Sequence, residues 1–281
     1  MPCLPGKPAR LLVLVLCAAA VAPAASAMPS ATAVIASLNQ MRLQNGIPGG
    51  IVENAAWSQK CALHNTYERE NDTLEHAEDP RRPGYSTAGS WAGENSVLAL
   101  GGTPIGVFTR APFHLVQLLS PELREVGIAM TGSYTCITTW PGYDLNRYRG
   151  TRERVYTYPG NRTAGVSPQL TANEIPFTPG RFFGLPVGSP TGPAMFAYAV
   201  GPWDPWTVSV VAVTLTGPRG AVAMKSMDRL TKGIGEYLPP GAALLMPVVP
   251  LSPQARYTAT IRLRNSAGRT VTHTWSFTTS S

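Results

Sequence analysis

Trp91-Ala92-Gly93-Glu94-Asn95 is the run on which the reading of this chain turns. Glu94 stands among small residues, with His76 upstream of it and His114 downstream. Two imidazoles and a carboxylate drawn from separate elements are the side chains of a divalent-cation or general acid/base site. Their intervals fit no local ligand motif, so the fold has to assemble the chemistry.

Working outward, the proline of Ala111-Pro112-Phe113-His114 closes one short element and opens another. That places His114 in the first turn of a helix carrying Val116, Leu118 and Leu119. Val126, Ile128 and Met130 alternate with small residues, and Thr131-Gly132-Ser133 turns the chain. Tyr134, Cys136, Thr138 and Trp140 then share one face, which predicts a hairpin. Upstream, Ser30 offers an N-cap, Val34, Leu38 and Met41 form an apolar stripe, and Asn45-Gly46 is a helix stop. A second helix is expected over residues 54–68, with Trp57, Cys61, His64 and Glu68 on one face. His64 reads there as a packed, hydrogen-bonded residue. Residues 70–90 are polar, broken by Pro80, Pro83, Gly84 and Gly89, and read as a long loop carrying His76. Residues 95–100 read as the first turns of a helix or a tight connection, with Asn95 bonding backbone groups that hold Glu94.

An ordered set of residues resembles one family. Asn39, Arg42, the 57–64 segment, His76, Gly93-Glu94-Asn95, Ala111-Pro112-Phe113-His114, Leu118-Leu119-Ser120-Pro121 and Val126-Gly127-Ile128-Ala129 are similar to bacterial members of the CAP family. These are the cysteine-rich secretory, antigen 5 and pathogenesis-related 1 proteins, and the resemblance covers residues 31–142. It implies an α+β chain with a three-layer α-β-α sandwich, the CAP fold, over residues 28–145. It implies a cleft formed by His76, Glu94, Asn95 and His114. Some members bind a divalent cation, for which His76, His114 and Glu94 are the ligands here, with zinc as an example. Others bind a lipid or sterol. The chain departs from the family on the helix before His114, where many members carry a second glutamate. Residues 104–110 hold Phe108 there and no carboxylate. A three-ligand set leaves a coordination position open.

Beyond Pro141-Gly142 the character changes. Residues 146–184 are rich in proline and glycine and read as a linker or wrap, with Val155 and Thr157 in an edge strand of the first unit. Residues 185–281 read as an all-β sandwich: 195–200, the β-branched run at 207–216, the alternation of Tyr257, Ala259, Ile261 and Leu263, and the stripe Val271, His273, Trp275 and Phe277. The ending resembles bacterial immunoglobulin-like or fibronectin-like modules. Two separable units are expected.

Lys7 and Arg10, the apolar residues 11–21 and Ala25-Ser26-Ala27 read as a signal peptide over residues 1–27, so the protein is expected to be secreted, extracellular or periplasmic. No stretch is long enough for a membrane span. Export makes a Cys61–Cys136 disulfide one reading and two buried thiols the other. Residues 28–145 carry 7 Lys and Arg against 11 Asp and Glu, and residues 146–281 carry 14 against 5. The basic second half suits an anionic cell-surface polymer or is a solvated surface. No aromatic-basic motif points to nucleic acid. The function expected is a secreted binding or interaction protein. The alternative is a metal-assisted hydrolase of peptide or cell-wall polymer, against which stand the missing His-Glu-x-x-His helix and the lack of a marked serine or cysteine nucleophile.

Overall fold

The computed structural model describes residues 29–171, 174, 181, 183–186, 188–265 and 267–281. The signal peptide expected over 1–27 and part of the 146–184 segment lie outside them. Ser30 caps α1 (Ala31–Gln44), its hydroxyl accepting the Ala33 N–H at 3.2 Å. After the short strand β1 (Val52–Glu53), Asn54 caps α2 (Ala55–Asn71) in the same way. Ser86 caps α3 (Thr87–Glu94), which runs into β2 (Ser96–Leu100). A 3-10 turn at Gly106–Arg110 leads to α4 (Pro112–Leu118), whose proline occupies the first turn. The hairpin β3 (Glu125–Thr131) and β4 (Tyr134–Thr138) follows.

Two expectations change here. The end of the long loop is the helix α3, and residues 96–100 form a strand where a helix or tight connection was expected. Gly89 reads as a breaker in the sequence, yet packing demands it and Gly93 alike. A Cβ on Gly89 would lie 2.4 Å from Glu78 Oε1, and one on Gly93 2.3 Å from both His64 Cε1 and the His76 carbonyl oxygen. The β2 segment is a strand because its alternate residues serve two cores. Val97 and Ala99 join one cluster and Leu98 the other.

The first sheet runs in the order β1-β3-β4-β2. One face is covered by α2 and α3, around Cys61, Ala92, Leu98 and Cys136. Close approach is possible because Gly127 faces the Trp57 backbone, where a Cβ would sit 2.4 Å from the carbonyl carbon. Cys61 and Cys136 form a disulfide that joins α2 to β4. The opposite face carries Val97, Val126, Ile128 and Ile137, packed with α1 and α4. Two family-matched polar residues brace this layer. Asn39 exchanges hydrogen bonds with the N–H and C=O of Ile51. The buried Arg42 donates to the carbonyls of Pro48, Leu118 and Ser120, closing the end of α4. Burial pushes its guanidinium down to about 10.

The remaining strands are β5 (Arg154–Tyr158), β6 (Thr163–Val166), β7 (Met195–Val200), β8 (Ser209–Gly217), β9 (Gly220–Val222), β10 (Met224–Asp228), β11 (Ala242–Pro247), β12 (Arg256–Arg264) and β13 (Thr270–Thr279). They form a second sheet, β10-β11-β7-β5, and a third, β6-β13-β12-β8-β9. The segment expected as a linker therefore supplies a strand to each. β5 pairs with β7, not with the first sheet, and β6 pairs in parallel with β13. Every residue of β7 and of β11 is buried. Met195, Ala197, Ala199, Ala243 and Leu245 pack against the third sheet. Phe196, Tyr198, Ala242, Leu244 and Met246 join the core of α1 and α4. The boundary expected near residues 146–184 is thus crossed by one continuous core. The Tyr198 hydroxyl crosses it too, donating to the Val116 carbonyl at 2.9 Å.

The architecture is α+β, with four α-helices and three sheets among the described residues. No helix among them is long and apolar enough to cross a membrane. The disulfide spans 75 positions, so opening it releases roughly 4 kcal/mol of loop-closure stabilisation. Paired Cys61→Ala and Cys136→Ala substitution is expected to lower unfolding free energy by about that amount in urea titration, and a loss below about 1 kcal/mol would contradict the assignment of its role.

Candidate functional site

The loop between α2 and α3 is stitched to α2, and this stitching places His76. Buried His64 bonds the Glu78 carboxylate through Nδ1 at 2.9 Å and the Glu75 carbonyl through Nε2 at 3.1 Å. The Tyr67 hydroxyl donates to Glu75 Oε1 and accepts the Asp79 N–H. Glu78 Oε2 in turn accepts the Ser86 N–H where α3 begins. His64 is therefore the packed, hydrogen-bonded residue its helix face suggested. Gly93 rests against its ring, and the Gly93 carbonyl accepts a hydrogen bond from His76 Nδ1 at 2.8 Å. A carbonyl only accepts, so Nδ1 of His76 carries the ring proton and Nε2 its lone pair.

His114 sits in the first turn of α4. Its ring lies parallel to that of His76, with centroids 6.1 Å apart and planes 9° apart. Phe108 packs on its side at 5.9 Å between centroids. Glu174 Oε1 accepts both the backbone N–H of His114, at 3.0 Å, and Nδ1–H, at 2.8 Å. Glu174 is 5% exposed, and its other oxygen, Oε2, has no partner among the described residues. The two histidines, Glu75 and Glu174 line one cavity of about 280 Å³ whose other walls are apolar, among them Leu74, Leu98, Val107 and Phe108. Neither imidazole Nε2 has a hydrogen-bond partner among the described residues. A larger groove, of about 580 Å³ between α1 and β6, holds none of these residues.

The predicted set is thus brought together only in part. His76 and His114 meet. Glu94 does not join them: it is the exposed last residue of α3 and lies outside the cavity lining. The reason is the helix itself, which turns Gly93 inward against His64 and leaves its neighbour facing water. Asn95 caps α3, its side chain donating to the Trp91 carbonyl at 2.8 Å. It bonds backbone as expected, but does not reach the cavity. The metal set of His76, His114 and Glu94 does not fit. Glu174 engages the Nδ1 side of His114, away from the free nitrogens, and no group of three His, Cys, Asp or Glu among the described residues is arranged to hold an ion. Sequence reasoning missed Glu174. Its one signal was isolation, as the sole acidic residue between Glu153 and Asp204 in a proline-rich stretch.

Burial favours the neutral forms of His76 and Glu68. Burial pulls His76 below the usual imidazole range, His114 adds to the effect, and the Gly93 carbonyl opposes it. Burial pushes the Glu68 carboxyl beside His64 up to about 8, partly offset by the Glu75 N–H.

No protein-family model matches the chain, and no curated protein does. Among solved structures it is similar to selenomethionine PcoC, a copper resistance protein from Escherichia coli, at 15% identity over 44% of this chain and 94% of that one, with a TM-score of 0.26. It is similar to CopC from Methylosinus trichosporium OB3b at 13% identity over 46% and 94%, with a TM-score of 0.28. Likeness this faint carries no argument.

Two tests follow from the geometry. Gly93→Ala drives a methyl into the His76 carbonyl and the His64 ring, and should cost about 2 kcal/mol or more in denaturant unfolding. Glu68 has its folded pKa raised, so its penalty is absent below the unfolded value and grows as pH rises towards 8. Glu68→Gln should therefore melt with the wild type near pH 4 and gain on it steadily to pH 8. A constant offset across that range would contradict the assignment.

Proposed function

We propose that this chain is an exported binding protein with a CAP-type first layer followed by a β-sandwich, and that its cavity takes a small amine with an apolar body. The observation that carries the reading is the set of acceptors around the cavity. Two imidazoles present bare Nε2 atoms, and the buried Glu174, on the Nδ1 side of His114, adds a carboxylate to the lining. Two bare ring nitrogens backed by a carboxylate complement an ammonium group, which has N–H donors, a positive charge and no lone pair. The aliphatic and aromatic walls suit a hydrocarbon body, and the volume suits a small molecule or one head group of a lipid. The ordered CAP-like motif and the helical layers on both faces of the first sheet support the family reading. The leader-like start supports export. Glu174 supplies, from a different part of the chain, the second carboxylate missing from residues 104–110.

Hydrolysis is the second reading, and the His114–Glu174 pair favours it. A carboxylate on Nδ1 orients the ring and leaves Nε2 as a base. No serine, threonine or cysteine lines the cavity among the described residues, so such a base would have to act on water.

Calorimetry at neutral pH with hexylamine, hexanoate and zinc chloride separates these readings. Hexylamine is expected to bind, hexanoate is not, and Glu174→Gln should weaken the amine at least about tenfold. Equal binding of hexanoate, or amine binding indifferent to Glu174→Gln, would overturn the proposal. Stoichiometric zinc binding lost in His76→Ala would favour the metal reading instead.

A further inference from the structure

The third sheet has one buried face and one open face. Along β12 the exposed positions are Arg256, Thr258, Arg262 and Arg264, with half-buried Thr260 between them. Strand register lays hydroxyls beside them on both sides. Thr260 is flanked by Thr214 and Thr274, and Thr258 by Thr216 and Ser276. The Thr260 and Thr274 hydroxyls are 2.9 Å apart, and Arg256 bonds the Ser276 hydroxyl at 3.1 Å. Such rows repeat at roughly 6.7 Å along a strand and roughly 4.8 Å across strands. Arg256 and Arg262 therefore stand about 20 Å apart.

None of the five strands of this sheet contains an aspartate or glutamate. Of the five acidic residues of the second half, Asp228 accepts the Val210 N–H of β8 and Glu153 pairs with Arg269 in the β12–β13 turn, while Glu174, Asp204 and Glu236 make no hydrogen bond or ion pair to this sheet among the described residues. The open face thus carries cations and hydroxyls without a counter-charge from its own strands. A ligand that complements it is linear, negatively charged at intervals and rich in hydroxyl groups. Arginine forks match carboxylate or sulfate, and threonine hydroxyls both donate to and accept from sugar hydroxyls. The outward positions hold no aromatic residue on which bases would stack, which disfavours single-stranded nucleic acid. They hold no large apolar side chain to enter a membrane.

We infer that the open face of β8, β12 and β13 is a docking surface for an anionic polysaccharide, independent of the histidine cavity.

The test is binding of the full chain to immobilised polygalacturonate, neutral dextran and oligo-thymidine DNA at several salt concentrations. Polygalacturonate should bind and weaken as salt rises, while dextran should not bind. Arg262→Gln with Arg264→Gln should weaken polygalacturonate at least about tenfold. Arg81→Gln, at an exposed site in the first half, should leave it unchanged. Thr260→Val with Thr274→Val should weaken the glycan without weakening DNA. Dextran binding as tightly, DNA binding tighter than the glycan, or an arginine double variant that melts and binds like wild type would each overturn the inference.

Discussion

Burial of β7 and β11 on both faces is the constraint on which the rest of the structure depends. Alternate residues of each strand enter different cores. A strand flanked by apolar packing on both sides reads as a continuous apolar run, which is what Met195–Val200 and Ala242–Pro247 are. Removing either core would leave half of each strand facing water. At roughly 25 cal/mol per Å² of apolar surface, that exposure exceeds what a small domain can lose. The helical first half and the second sheet therefore share a core, although the two halves of the chain differ sharply in charge.

The site inherits its precision from this arrangement. His76 sits on a loop, and loops hold positions poorly unless their polar groups are satisfied. Here His64, Tyr67 and Glu78 supply those bonds from inside, and Gly93 closes the gap so that its carbonyl can fix the His76 tautomer. His114 is fixed from the other direction. Glu174 arrives from the segment that precedes β7, so the ring orientation of His114 depends on chain far from the motif that contains it. Apolar walls lower the local dielectric, which strengthens each of these bonds.

Polar residues that looked functional divide by what they touch. Asn39, Arg42 and Asn95 spend their hydrogen bonds on backbone carbonyls and N–H groups, holding helix ends and loop crossings. His64 is buried and fully engaged. His76 and His114 present free Nε2 atoms at one cavity. Sequence position near a motif was a poor guide to this division, and hydrogen-bond accounting a good one.

Local physics was legible in the sequence. Ser30 capped α1, the second helix began beside Asn54, Pro112 opened α4, and the period-two alternations at 126–138 and 257–277 became strands, because each depends on neighbours a few residues away. The Cys61–Cys136 bridge was one of two readings, and the proximity of α2 and β4 decided it. What tertiary structure alone decided lies at longer range. Gly89, which signalled a break, became with Gly93 the packing surface of α3, because only a missing Cβ admits Glu78 at the one and His64 at the other. Residues 154–158, expected at the edge of the first unit, and 163–166, expected in a linker, became strands of two other sheets, because their partners lie tens of positions away. Glu94 held the motif position and faced water, while Glu174, in no motif, reached His114, since burial and register, not adjacency in sequence, determine which carboxylate meets an imidazole.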